Sequence, residues 1–137
     1  MPLTGEPAGP STGFDPEVKT LVVDDHCSFR EALLELIAAT AGFVLVGQAC
    51  SGEEALSAVA RLSPQLVLMD VLMPGIGGIS ATHAILSRHP DVMVVLISVD
   101  DPALHPAVRA LGGAVPCARK QDLRPSEVRR LWGMHGS

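Results

Sequence analysis

Leu66-Val67-Leu68-Met69-Asp70 is a run of four apolar residues that ends in an acid, and Val71-Leu72-Met73-Pro74-Gly75-Ile76-Gly77-Gly78 follows it directly. An unbroken apolar run of this length, closed by a Pro-Gly turn, reads as a strand buried on both faces, here Gln65 to Asp70. The turn opens a helix carrying Ile79, Thr82, His83 and Leu86 that ends before Pro90.

The same strand–turn–helix unit repeats in both directions. Upstream, Ser51-Gly52-Glu53-Glu54 has capping-box spacing and leads into Ala55, Leu56, Val59 and Leu62, with Pro64 as the stop. Phe43 to Ala49 is the strand before it. Ser28-Phe29-Arg30-Glu31 has the same capping spacing and opens a helix to about Ala39, with Phe29, Leu33, Leu36, Ile37 and Thr40 on one face. The first strand, Thr20 to Asp24, ends in two acids, Asp24 and Asp25. Downstream, Val92 to Ser98 is a fourth strand. A helix after it either kinks at Pro106, having begun at Pro102, or starts late near Pro106. Gly112 and Gly113 end it, Ala114 to Ala118 is a short fifth strand, and Pro125 to Trp132 is a final helix. Strict β–α alternation with continuous apolar strands gives the fold class: α/β, a doubly wound five-stranded parallel sheet.

The chain has 137 residues, 47% of them hydrophobic, which suits one domain with one core. We expect that domain to span residues 17–133. Residues 1–16 carry Pro2, Pro7, Pro10 and Pro16 with three glycines and read as a disordered tail, and 134–137 as a short second tail. No apolar run reaches the roughly 20 residues of a membrane span, and no secretory signal opens the chain. Fifteen acids against ten Lys plus Arg leave a net charge of −5 without a basic block, which argues against direct DNA binding. Cys27, Cys50 and Cys117 are an odd set without C-x-x-C spacing, so we expect no disulfide framework and a cytoplasmic location, with Cys27 and Cys50 as small packing residues.

Ligands of open α/β sheets collect at the carboxyl ends of the strands. Those ends carry Asp24 and Asp25, then Asp70, Ser98 and Lys120. Three converging carboxylates repel unless a cation joins them, and an all-oxygen cluster suits a hard ion such as Mg²⁺. A hydroxyl and an ammonium beside them complete a site for a phosphoryl group, with an Asp as the nucleophile. His26 lacks a partner at zinc spacing and reads as a loop residue, as do the other four histidines.

Val22-Val23-Asp24-Asp25, the D-x-x-M-P-x-x-x-G pattern from Asp70 to Gly78, Ile97-Ser98, and Gly113-Ala114 leading to Lys120 together resemble the receiver domains of two-component response regulators, over residues 18–132. Asp25-His26 with Phe29-Arg30-Glu31 is also similar to receivers that precede a LuxR-type DNA-binding output domain, for which this chain leaves no room. The resemblance implies a flavodoxin-like (β/α)5 fold. It implies Asp70 as phosphoacceptor, Asp25 as a direct Mg²⁺ ligand, Asp24 acting largely through water, the Leu72 carbonyl as a further ligand, and Ser98 and Lys120 on the phosphoryl oxygens. The implied partners are a sensor histidine kinase or histidine phosphotransfer protein and a downstream protein, with a second copy of the chain as a further candidate.

Two positions depart from the family. Cys117 stands where receivers usually carry Tyr or Phe, the switch position, and Gln121 stands where Pro usually follows the Lys. The leading expectation is a stand-alone phosphoacceptor switch rather than an enzyme. A phosphorylation-independent binding module is the alternative that Cys117 and Gln121 favour. An Asp-nucleophile phosphohydrolase needs D-x-D after a strand, which neither Asp24-Asp25-His26 nor Asp70-Val71-Leu72 supplies.

Overall fold

The structure, a computed structural model, describes residues 17–101, 105–111 and 115–135. Its elements in chain order are β1 (Val18–Val23), α1 (Cys27–Ala38), β2 (Phe43–Ala49), α2 (Gly52–Leu62), β3 (Leu66–Asp70), α3 (Gly77–Arg88), β4 (Met93–Ser98), α4 (Pro106–Arg109), β5 (Cys117–Arg119), a 3₁₀ turn (Lys120–Asp122) and α5 (Pro125–His135). The five strands form one sheet in the order β2-β1-β3-β4-β5, and every pairing is parallel. The expected doubly wound sheet is present.

Side-chain alternation along the strands explains why their sequences are apolar throughout. Leu21, Val23, Val67, Met69, Val94 and Leu96 point to one face, where α2, α3 and α4 supply Ala55, Val59, Ala81, Ile85 and Val108. Val22, Leu66, Leu68, Val95 and Ile97 point to the other, against Leu33 and Ile37 of α1 and Val128 and Leu131 of α5. Both faces being covered, a polar residue within a central strand would be desolvated, and polar chemistry is confined to the strand ends.

Several boundaries differ from the sequence expectation. Helix α1 begins at Cys27, so Ser28 lies inside it and its capping box is not used. His26 occupies the cap position and makes no side-chain cap bond. Its ring is instead turned toward the acids at the end of β1. The second pattern does cap its helix: Ser51 Oγ accepts from Glu54 N at 3.1 Å, and the return bond of Glu54 goes one residue further back, accepting from Cys50 N at 3.1 Å. Helix α4 starts late, with Pro106 at its first turn and His105 Nδ1 accepting from Ala107 N at 3.2 Å. Pro102, Gly112 and Gly113 lie outside the described residues, as does the expected tail 1–16.

Strand β5 is shifted C-terminally to Cys117–Arg119. Pro116 has no N–H to give the ladder, and it contributes only its carbonyl, which accepts from Leu96 N at 2.9 Å. Helix α5 runs past the expected stop at Trp132 to His135, so Met134 and His135 belong to the helix rather than to a tail. Tertiary contact outweighs the poor propensity of Gly133: the His135 ring lies 5.0 Å from Trp132, and its Nε2 is 3.1 Å from the Asp91 carbonyl. Cys27 and Cys50 are exposed and are not packing residues.

Among the described glycines, Gly78 leaves the least room for a side chain, where β3 meets α3. A Cβ on Gly78 would sit 1.9 Å from the Asp70 carbonyl oxygen and 3.1 Å from Val71 Cα. Neither backbone atom can swing aside as a side-chain tip would. We expect Gly78→Ala to cost about 2–3 kcal/mol by overpacking, measured by urea denaturation. The exposed helical control Ser80→Ala should change stability by less than about 0.5 kcal/mol. Equal, small effects for the two would contradict the steric account.

Candidate functional site: an acidic pocket at the switch point

The chain winds to β2 on one side of β1 and to β3, β4 and β5 on the other, and the crevice at such a reversal lies over the carboxyl ends of the strands. Asp24 and Asp25 follow β1 there, Asp70 ends β3, Ser98 ends β4, and Lys120 follows β5. Pairing fixes their levels: Asp70 pairs with Ile97, and Ser98 with Arg119.

Asp24 is fully buried, and the side chains of Asp70 and Lys120 are each 4% exposed. Lys120 Nζ lies 2.6 Å from Asp24 Oδ2 and 3.6 Å from Asp70 Oδ2. One ammonium therefore faces two buried carboxylates, with Asp25, one-quarter exposed, as a third acid nearby. Asp24 is further braced by backbone contacts: its Oδ1 accepts from His26 N at 2.9 Å, and its carbonyl accepts from Arg30 Nη1 at 2.9 Å. Arg30 Nε donates to Gln48 Oε1 of β2 at 2.9 Å, which ties α1 to that strand.

The charge balance is incomplete. Asp24 Oδ2, Asp25 Oδ1 and Asp70 Oδ2 are buried and make no hydrogen bond, so Lys120 meets Asp24 as a close ion pair without hydrogen-bond geometry. Ligand atoms of Asp24, Asp25, His26 and Asp70 all lie within 4.8 Å of one another. Buried carboxylate oxygens left without donors are what a divalent hard cation satisfies, and the donor set fits Mg²⁺ on that ground.

Asp70 carries the electrostatic consequence. Burial, then the charge on Asp24, push its carboxyl up to about 6, against the pull of Lys120 and a hydrogen bond from Leu72 N. Leu72 itself is 56% exposed and borders two clefts of about 520 and 510 Å³, one reaching Asp25 and His26, the other Ser98 and His105.

Ser98 is buried, and its Oγ accepts from Asp100 N at 3.3 Å, so in this state the hydroxyl serves its own loop. Gln121 Nε2 donates to the Val99 carbonyl at 3.0 Å, joining the loop after β4 to the turn after β5. Cys117 is half-buried, its Sγ 3.5 Å from the Val115 carbonyl, and burial followed by the charge of Asp101 raises its thiol pKa. The thiol is thereby held as a neutral small group at the position expected to switch.

Two residues near the pocket carry contacts the sequence reading did not assign. His26 Nδ1 is 3.3 Å from Asp24, 3.1 Å from Asp25 and 3.9 Å from Asp70. His26 lies in the loop before α1, and its adjacency to Asp24-Asp25 places it at the strand end. Phe29 is 37% exposed rather than part of the α1 core face, and its ring centroid lies 4.2 Å from Lys120 Nζ.

The raised carboxyl of Asp70 predicts a signed pH dependence. The folded protein holds this proton at pH values where the unfolded chain has released it. Its contribution to stability is therefore fully present below about 3.8 and is lost as pH rises through about 6. We expect metal-free protein to lose on the order of 3 kcal/mol across that window from this group. Asp70→Asn should remove that part of the slope in urea melts with chelator. A constant difference between wild type and variant at all pH values would contradict the assignment.

Comparison with known proteins agrees with this geometry. The family model for the response regulator receiver domain matches residues 20–116. Among curated proteins, the response regulator GacA of Pseudomonas syringae pv. syringae (strain B728a) is 49% identical over 87 residues, 62% of this chain and 41% of that protein. A protein-glutamate methylesterase/protein-glutamine glutaminase of Geobacter metallireducens is 43% identical over 100 residues, 72% of this chain and 29% of that protein. The chain thus spans less than half the length of these relatives. Among solved structures, the signal receiver domain of the putative response regulator NarL from Mycobacterium tuberculosis superposes with a TM-score of 0.76 at 28% identity, covering 89% of this chain and 98% of that one. The sheet order, the acidic pocket at its switch point and the family match lead to one conclusion: the chain belongs to the response regulator receiver domain family.

Proposed function

We propose that this chain is a phosphoacceptor switch that takes a phosphoryl group on Asp70 from the phosphohistidine of a sensor kinase or phosphotransfer protein. The observation that carries the reading is the orphaned carboxylate oxygen of Asp70, buried beside Lys120 at the carboxyl end of β3. With its pKa near 6, the carboxylate is mostly ionised at neutral pH even without a metal, as a nucleophile must be.

In the transfer step an Asp70 oxygen attacks phosphorus, the P–N bond to the donor imidazole breaks, and the imidazole leaves with a proton from solvent. The product is an acyl phosphate on Asp70. Lys120, already held between Asp24 and Asp70, balances charge on one phosphoryl oxygen, and Ser98 reaches another by giving up its contact with Asp100 N. Asp25, Asp70 and the Leu72 carbonyl, with Asp24 acting through water, would hold Mg²⁺. Bound there, Mg²⁺ supplies neutralisation of the phosphoryl oxygens and of the carboxylate cluster. Orientation, burial and proton-free nucleophilicity come from the chain itself.

The role is that of a modified switch rather than a catalyst turning over a substrate. The phosphorylated state is read by a partner protein through the region after Ser98, and the net charge of −5 disfavours a direct role on DNA. No helix among the described residues is long and apolar enough to cross a membrane, in keeping with action in the cytoplasm.

The test is incubation with a small acyl phosphate donor and Mg²⁺, read by intact mass. We expect one phosphoryl group on wild type, none on Asp70→Asn, and a rate at least about tenfold lower in Asp25→Asn. Modification of Asp70→Asn at the wild-type rate would refute the assignment, and absence of modification in wild type would refute the phosphoacceptor reading in favour of a phosphorylation-independent binding module.

A further inference from the structure

Lys120 is the ammonium the site depends on, and its surroundings are asymmetric. Two sides face carboxylates, Asp24 at 2.6 Å and Asp70 at 3.6 Å. A third side faces the Phe29 ring, 4.2 Å from the nitrogen to the centroid. Phe29 lies in the first turn of α1, one turn before the buried Leu33, yet is itself 37% exposed. A residue serving only the core would be buried as Leu33 is. Its ring is set edge-on to His26, with centroids 6.4 Å apart and planes at 83°, and so stands between the helix start and the Lys120 ammonium.

An aromatic face attracts a cation through its quadrupole, and more strongly when the cation is desolvated. The Lys120 side chain is 4% exposed, so the contact is made on the dry side of the pocket while the ring's other parts meet solvent. A four-carbon side chain without this cover could turn its ammonium outward to water. We propose that Phe29 is a positioning residue for Lys120: its ring face and the two carboxylates pin the ammonium at the edge of Asp70, and this sets how readily Asp70 takes up a phosphoryl group. The second half of that statement rests on the reading of Asp70 as phosphoacceptor.

The sequence offers an internal reference for the first half. The chain has two lysines, Lys19 and Lys120, and Lys19 is exposed. Reductive methylation of metal-free protein, followed by peptide mass analysis, gives the labelling rate of Lys120 relative to Lys19. We expect Phe29→Leu, which keeps apolar bulk but removes the quadrupole, to raise that ratio about three- to tenfold. Phe29→Tyr should leave it near wild type. Trifluorophenylalanine incorporated at position 29 keeps the ring's shape and cover while withdrawing charge from its face, so it should move the ratio in the direction of Leu.

The same variants are then followed for phosphorylation by a small acyl phosphate at saturating Mg²⁺. We expect the rate to fall about three- to tenfold for Leu and for trifluorophenylalanine, and to be retained for Tyr, with unchanged half-saturation by Mg²⁺. A trifluorophenylalanine protein indistinguishable from wild type in both measurements overturns the proposal and leaves Phe29 as a packing residue. Changed labelling with unchanged phosphorylation rates also overturns it, because the ring would then hold Lys120 without consequence for Asp70. Wild type that takes no phosphoryl group sinks the phosphoacceptor reading instead, and labelling alone then decides whether Phe29 holds the ammonium.

Discussion

Three carboxylates share one end of a sheet with a single buried ammonium between two of them, and the rest of the molecule is arranged so that this unfavourable crowding persists. Parallel pairing of β1 with β3 brings Asp24 and Asp70 side by side, and burial of both sheet faces fixes the register that keeps them there. A slip by one residue would turn each acid to the opposite face. The crowding is tolerated because the apolar strands behind it are fully packed, and it shows in the raised pKa of Asp70 and in three buried oxygens without hydrogen bonds. Crowding of this kind is relieved by a cation placed among the three carboxylates.

The chemistry of the pocket was readable from residue order because it depends on strand ends. Apolar runs such as Leu66 to Met69 locate a strand by themselves, and the residue that follows must lie at the carboxyl edge, so Asp70, Asp24 and Ser98 were placed before any contact was known. What resisted reading were features set by contacts distant in sequence. Phe29 has the spacing of a core residue in its helix, and only the arrival of Lys120 from 91 positions further along gives its ring a different occupation. His135 extends α5 because Asp91 and Trp132 receive its ring. Ser28 has a capping pattern that is not used, because the acids after β1 engage His26, two residues ahead of it, and the helix starts two residues early. Local pattern located the elements; partners arriving from elsewhere set where they stop.

The two departures from the family resemblance both lie after Ser98: Cys117 stands where an aromatic is usual, and Gln121 where a proline is usual. A thiol moving between buried and exposed positions transfers much less apolar surface than a ring, so it biases two states less. The Gln121 carboxamide, bonded to the Val99 carbonyl, gives this chain a different connection between the end of β4 and the turn bearing Lys120.

Gly78 adds a mechanical asymmetry to this arrangement. The start of α3 lies against the Asp70 carbonyl, too close for even a methyl group, which leaves no slack between the end of β3 and that helix. On the other side Ser98 leads into a loop that Asp100 N and the Gln121 carboxamide bond at Ser98 Oγ and the Val99 carbonyl, ahead of the short helix α4. Were a bulky group to join Asp70, the α3 side could not yield without parting Gly78 from the Asp70 carbonyl, and the adjustment would fall to the Ser98 side.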